Sequence, residues 1–355
     1  LVDDLDDLPT AQQLCERIDR VLAEPYQLTE GPARVTASVG LSMTTADSTV
    51  TGLLADADRA MYEAKAERRG EPVSTDPLRR HTANERRRMA DELAEGLRRG
   101  EIVAHLQPIV SLVDGRPFAV EALARWNHPR LGVLGPLSFL SLAEDAGLDV
   151  AMGDAVLHDA CRAVAALPME IGLGVNLSIA QLADYQLRSR IEKILAETGL
   201  PPRLLTLEIT ERDTLSRRSG AGRAAPERTL FDLHDMGAAL VLDDFGTGHS
   251  SLTHVRRFPL RGLKIDKTFV TGAMEHPEDR AVIAAVVGMA RALGLVVVGE
   301  GVERSEHLDL LAELGCDLAQ GFYIARPMPA AALLEWITQR PGSRGTIRER
   351  RTHGS

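Results

Sequence analysis

A chain of 355 residues is long enough for one large domain with a smaller one beside it, and 44% hydrophobic with 26% charged residues is the balance of a globular protein. A formal net charge of −10 and only 4% aromatic residues exclude a long basic groove, so no nucleic-acid partner is expected. Cys15, Cys161 and Cys316 are too scattered for a disulfide framework or a zinc site, and no apolar run is long enough to span a bilayer. Reduced core thiols, no membrane contact by this stretch and a cytoplasmic location are the corresponding expectations.

The chain opens with "LCERIDRVLA", "RVTASVGLSM" and "VTGLLADADRAMYEAKAERRG", whose apolar spacing predicts helix, strand and helix. Residues 1–72 are therefore one small α+β piece. The polar stretch "GEPVSTDPLRRHTANERRR" interrupts the pattern, which gives a linker at 73–86 and a helix around Met89 to Leu97. From His105 a β/α alternation repeats eight times, through "HLQPIV", "FAVEALARW", "GLGVNLS", "LTLEITE", "AALVLDD", "GLKIDK", "LVVVGE" and "DLAQGFY". Between these runs lie segments of helical period such as "DRAVIAAVVGMARALG" and "SEHLDLLAELG". Eight strands buried on both faces fit a closed (β/α)8 barrel of the TIM type better than an open sheet, so residues 87–340 are read as one barrel and 341–355 as a disordered tail. Pro108 and the short link to the second run allow these two strands to form an antiparallel hairpin.

Polar residues collect at the C-terminal ends of the runs: Glu121, Asn176, Glu208 with Glu211, Asp243 with Asp244, Lys264 with Asp266, Glu300 with Glu303, and Gln320. In a β/α barrel those ends share one rim. Adjacent carboxylates such as Asp243 and Asp244 repel each other and resist leaving water unless protons or cations neutralise them. Oxygen donors without thiolates or paired histidines favour hard divalent ions, and two such ions stabilise the attacking and leaving oxygens of a phosphoester displacement.

"EALARW" at Glu121, "NLS" at Asn176, "EITE" at Glu208, "DDFGTG" at Asp243, "KID" at Lys264, "EGVE" at Glu300 and "QGF" at Gln320 resemble the ordered motifs of EAL-domain cyclic di-GMP phosphodiesterases. The resemblance implies cleavage of cyclic di-GMP to linear pGpG with two magnesium or manganese ions. It implies Glu121, Asn176, Glu208 and Asp243 as ligands of one ion, with Asp243 shared and Asp244 and Glu300 completing the other. Lys264, Glu300, Asp244 and Glu211 form the implied catalytic set, with Lys264 orienting or deprotonating the attacking water and Glu211 steadying the loop after Asp244. Gln107, Leu123, Arg125, Gln320 and Glu303 are the implied substrate contacts, Arg125 reaching a phosphate through its planar fork. A homodimer through the barrel is also implied. A barrel that binds cyclic di-GMP without cleaving it is the alternative.

"RVTASVGLSM" and "LLADADRAMYEAKAERRG" resemble the C-terminal half of a GGDEF diguanylate cyclase domain, without the signature hairpin. No cyclase activity is expected of this stretch, and the sequence reads as a piece of a longer signalling protein with a sensor or membrane anchor upstream. His249 stands where the family usually has Tyr or Phe, and the Arg- and Gly-rich 216–226 segment is expected to be a surface loop. The dipeptides His158-Asp159 and His234-Asp235 lack the further histidines of an HD-type metal site and are expected on solvated helix faces.

Overall fold

The computed structural model describes residues 26–28, 31–33, 83–210, 226–246, 255 and 257–339. The chain divides into two compact units, Leu1–Pro77 and Leu78–Ser355. In the first, β1 (Tyr26–Leu28) and β2 (Gly31–Ala33) pair as an antiparallel hairpin. The strand and helices expected in residues 1–72, the 341–355 tail, Glu211, His249, Cys15 and most of the 216–226 segment lie outside the described residues.

The second unit is a closed barrel. Its strands are β3 (Ile102–Ser111), β4 (Pro117–His128), β6 (Gly172–Asn176), β7 (Leu205–Thr210), β8 (Ala239–Phe245), β9 (Gly262–Ile265), β10 (Val296–Gly299) and β11 (Leu318–Gln320). Each of the eight runs picked out in the sequence overlaps one of them. Neighbours from β4 round to β11 pair in parallel, whereas β3 is antiparallel to both β4 and β11 and closes the ring. The expected hairpin is thus present, with a register shift at Ile109 and Val110, just after Pro108, which has no N–H for the ladder. A short strand that the sequence reading missed, β5 (Gly132–Leu134), pairs with β4 outside the ring.

Helices α1 (Ala83–Arg99), α2 (Pro136–Asp145), α3 (Asp149–Ala165), α4 (Ile179–Leu182), α5 (Leu187–Thr198), α6 (Pro226–Asp235), α7 (Lys267–Gly272), α8 (Pro277–Ala292), α9 (Ser305–Leu314) and α10 (Ala330–Gln339) accompany the strands. Their apolar faces and the outward strand residues form one continuous core, from Leu93 on α1 to Ile337 on α10. A second cluster, Ile109, Ala119, Val298 and Leu318, belongs to β3, β4, β10 and β11, on the strand faces that also carry Gln107, Glu121, Glu300 and Gln320. The polar groups therefore stand over an apolar floor.

α1 is bound into this core. Met89 and Leu93 are buried, and Gly96 packs so closely on the Trp126 indole that a Cβ there would lie 2.9 Å from Nε1. Trp126 is fully buried on β4, donates to Glu101 Oε2 at 3.1 Å and meets Phe139 edge-on with centroids 6.1 Å apart. Asp159 on α3 departs from the solvated face expected of it, since its Oδ2 accepts from the Ala104 N–H of β3 at 3.0 Å. His158 and His234 keep to partly exposed helix faces. Cys161 and Cys316 are buried free thiols, each pushed up to about 12 by burial, as expected of core cysteines. No helix among the described residues is long and apolar enough to cross a membrane.

Truncating Trp126 to Ala should cost roughly 3–5 kcal/mol of stability, because it leaves a large cavity between α1, α2 and β4. Urea denaturation of the two proteins measures it, and a loss under 1 kcal/mol would show that α1 is not part of the cooperative barrel.

Candidate active site

The inner strand faces bring distant residues to one level. Strand pairing sets Gln107 opposite Glu121, Glu121 beside Gly174, Asn176 beside Glu208, and Val298 beside Lys264. Because side chains alternate across a strand, residues two apart continue on the same face. Glu121, Glu208, Asp243, Lys264, Gln107 and Gln320 are all buried.

Lys264 is the centre of the group, with 1% of its surface exposed. Its Nζ lies 2.7 Å from Glu208 Oε2, 3.0 Å from Glu121 Oε2, 2.6 Å from Glu300 Oε1 and 3.8 Å from Asp243 Oδ2. Glu121 is held further by Asn176 Nδ2, donating to Oε1 at 2.8 Å, and by Gln320 Nε2, donating to Oε2 at 2.7 Å. Gln320 Nε2 also donates to Gln107 Oε1 at 3.0 Å, and Gln107 Nε2 donates to the Ala325 carbonyl at 3.0 Å. This chain of amides fixes Glu121 from the β3–β11 side.

One ammonium does not balance four carboxylates. Burial raises Glu208, and Glu121 and Asp243 raise it further, well above its ordinary value. Burial likewise raises Asp243, and it pushes Glu300 up to about 8 despite Lys264. Glu121 alone ends below its ordinary value: burial works to raise it, but Lys264, Gln320 and Asn176 prevail. For Lys264 burial and the acids act in opposite directions. Burial acts downward, yet the surrounding carboxylates carry it well above its ordinary value, so it is an ammonium at neutral pH.

Asp243 and Asp244 solve a geometric problem. Successive residues of a regular strand point to opposite faces, so two adjacent carboxylates cannot both face the barrel. The β8–β9 register slips between Leu242 and Phe245, and Asp244 has φ 54°, the one positive φ of a non-glycine among the described residues. Aspartate tolerates this left-handed conformation better than most side chains. Asp243, Asp244 and Glu300 consequently offer carboxylate oxygens within 4.8 Å of one another. Burial, Asp243 and Asp266 push Asp244 up to about 6.

The donor set fits hard divalent cations: it is all oxygen, it is short of positive charge, and Gln320 Oε1 is buried without a hydrogen-bond partner among the described residues. Glu121, Asn176, Glu208, Asp243, Asp244 and Glu300 are the residues that could hold them. Leu123 and Arg125 follow Glu121 on the same face of β4, both half-buried, and Arg125 Nη1 donates to the Ala124 carbonyl at 2.7 Å. Glu303 is exposed on the loop after Glu300. Beside Leu123 and Asn176 opens a cavity of about 1040 Å³ walled by α2, α3 and α4.

Sequence reasoning overlooked Gly174. A Cβ on this residue would lie 2.3 Å from Glu208 Oε1, so the glycine on β6 makes the space into which Glu208 leans. The signal was present in "GLGVN", since glycines two apart in a strand mark a close approach on one face.

A family model described as EAL domain matches residues 90–327, and one described as diguanylate cyclase, GGDEF domain matches residues 3–71. The chain is 37% identical over 330 residues to the bifunctional diguanylate cyclase/cyclic di-GMP phosphodiesterase MucR of Pseudomonas aeruginosa, covering 91% of this chain and 47% of that protein. It is 40% identical over 250 residues to the cyclic di-GMP phosphodiesterase RocR of the same organism, covering 70% and 62%. A solved structure of the PaMucR phosphodiesterase in complex with c-di-GMP matches with TM-score 0.64 and 38% identity, covering 69% of this chain and 99% of that one. The chain thus spans about half the length of the curated relatives it matches.

Two outcomes follow from the crowded acids. Gly174→Ala should displace Glu208, with a loss of roughly 1–3 kcal/mol in denaturation and a lowered affinity for divalent ions in calorimetry. Raised carboxylate values in the folded state mean stability that is complete below about pH 4 and lost as pH rises through about 6 for Asp244 and about 8 for Glu300. The melting temperature without divalent ions should therefore fall between pH 5 and 8 by an order of a few degrees, and magnesium should reverse the fall. A melting temperature flat across that range, with or without magnesium, would contradict this electrostatic picture.

Proposed function

We propose that this chain, which belongs to the EAL domain family, hydrolyses one 3′–5′ phosphodiester bond of cyclic di-GMP and releases linear pGpG. The observation that carries the reading is the buried group in which Lys264 Nζ meets four carboxylates from β4, β7, β8 and the end of β10 within 3.8 Å. Relatives named as cyclic di-GMP phosphodiesterases and a solved neighbour in complex with c-di-GMP support the choice of substrate.

Glu121, Asn176, Glu208 and Asp243 would hold one divalent ion, and Asp243, Asp244 and Glu300 a second. When bound, two magnesium or manganese ions supply the positive charge that the attacking and leaving oxygens of the displacement need. The rest falls to the chain. Lys264, protonated against its acidic neighbours, donates a hydrogen bond to the attacking water and orients it. Gln320 offers the otherwise unpaired Oε1 to a proton of that water. Its Nε2 keeps Glu121 from turning away. Arg125 takes a phosphate oxygen pair through its planar fork, and Gln107 and Leu123 line the substrate above the acids.

Incubation with cyclic di-GMP and each metal, followed by chromatography, should yield pGpG as the product. Retention of unchanged cyclic di-GMP on a protein that yields no pGpG would favour a receptor instead. Asp243→Asn should lower turnover roughly a thousandfold or more with an unchanged circular dichroism spectrum, since it strikes the ligand proposed to be shared. An active, well-folded Asp243→Asn protein would remove Asp243 from the metal site.

A further inference from the structure

Asn176 is the one amide among the proposed metal ligands, and it stands exposed at the end of β6. Packing does not confine an exposed side chain, so its place depends on the backbone that carries it and on the hydrogen bond from its Nδ2 to Glu121 Oε1. Directly after Asn176 the chain turns into α4, whose four residues are too few for a helix to persist by itself. Contacts on both sides hold the turn instead. The Leu177 N–H donates to the Glu208 carbonyl at 2.9 Å, and Glu208 is the register partner of Asn176. Ser178 Oγ accepts from the Gln181 N–H at 3.2 Å, while Gln181 Oε1 accepts from the Ser178 N–H at 3.1 Å, a reciprocal cap. A glutamine in such a cap is ordinarily solvated, yet Gln181 is only 3% exposed. Its slot is cut into α3: a Cβ on Gly153 would lie 2.3 Å from Gln181 Nε2, so the glycine leaves the space that the amide fills.

We propose that Gln181 is a positioning residue for the metal site: seated in the Gly153 slot, it closes the cap on Ser178, fixes the β6–α4 turn and so keeps the Asn176 carboxamide against Glu121. The assignment rests on the reading of Asn176 as a metal ligand given above. Asn176 Nδ2 is spent on Glu121, which leaves Oδ1 as the oxygen that a cation can use. A turn tied to β7 at Leu177 and to α3 at Gln181 has little freedom to carry that oxygen elsewhere. Gln181 therefore acts on the cation through the backbone, without touching it.

Wild type, Gln181→Ala, Gln181→Glu, Asn176→Ala and the Gln181→Ala/Asn176→Ala double variant should be titrated with manganese alone in a calorimeter, with melting curves recorded beside each titration. Gln181→Ala should bind manganese roughly tenfold more weakly than wild type. Gln181→Glu keeps an oxygen for the Ser178 N–H and should recover most of that loss. Asn176→Ala should lose at least as much as Gln181→Ala, and the double variant little more than Asn176→Ala, because both changes remove the same ligand. A Gln181→Ala protein that melts earlier but binds manganese as tightly as wild type would overturn the proposal, since a purely structural cap does that. Losses that multiply in the double variant would overturn it as well, because Gln181 would then act other than through Asn176. If Gln181→Ala does not fold, Ser178→Ala takes its place in the cycle: it removes the other half of the cap, leaves the packing on Gly153 in place and carries the same expectations. Should the wild type bind no manganese, the metal reading itself falls and takes this assignment with it.

Discussion

A single buried ammonium set against four carboxylates is the interaction on which the rest of this barrel turns. Lys264 Nζ lies 2.6–3.8 Å from Glu121, Glu208, Asp243 and Glu300 in a space nearly closed to water. Burial of that many charges is unfavourable unless each is paired and hydrogen-bonded. The surroundings meet the demand in part: Asn176 and Gln320 donate to Glu121, and Gln107 steadies Gln320. What they leave unmet appears in the raised Glu208, Asp243 and Glu300 carboxyls and in the unpaired Gln320 Oε1. A site built this way is short of positive charge, and that deficit is what a divalent cation would meet.

Strand alternation explains which residues can take part. Each strand contributes inner-face residues at every second position, so the apolar floor of Ile109, Ala119, Val298 and Leu318 and the acidic layer come from one rule. The rule fails at one place. Asp244 would point away from the barrel in a regular strand, and a slipped register with a left-handed backbone turns it toward Asp243 and Glu300. Such a conformation costs an aspartate about 1 kcal/mol and persists only where the surroundings enforce it. Gly174 is the converse device, a side chain omitted so that Glu208 has room.

The antiparallel β3 gives the mouth its chemistry. A parallel first strand would present its C-terminal residues to the rim, where β3 instead brings its N-terminal half, His105 and Gln107, opposite Leu123 and Glu121. α1, locked onto Trp126 and, through Glu92, onto His128, grips the same strand that carries Glu121, Leu123 and Arg125. The register of β4 therefore answers to packing on the outside of the barrel as well as to the acids within it.

By itself the sequence determined the eight strands, the barrel, the hairpin between the first two strands and most of the residues of the acidic group. Local propensity, the period of the apolar pattern and short motifs at strand ends survive translation into one dimension. It did not contain β5, whose three residues are too few for a period, nor the role of Asp159, which depends on where Ala104 passes α3. The charge state of Lys264 was equally closed to it, because burial and four carboxylates act in opposite directions and only their distances decide between them. How Asp243 and Asp244 share one side of a strand, and how a glycine at 174 leaves room for Glu208, are matters of register and clearance between segments far apart in the chain. Those the tertiary structure alone decided, since no local rule specifies which side chain will stand opposite.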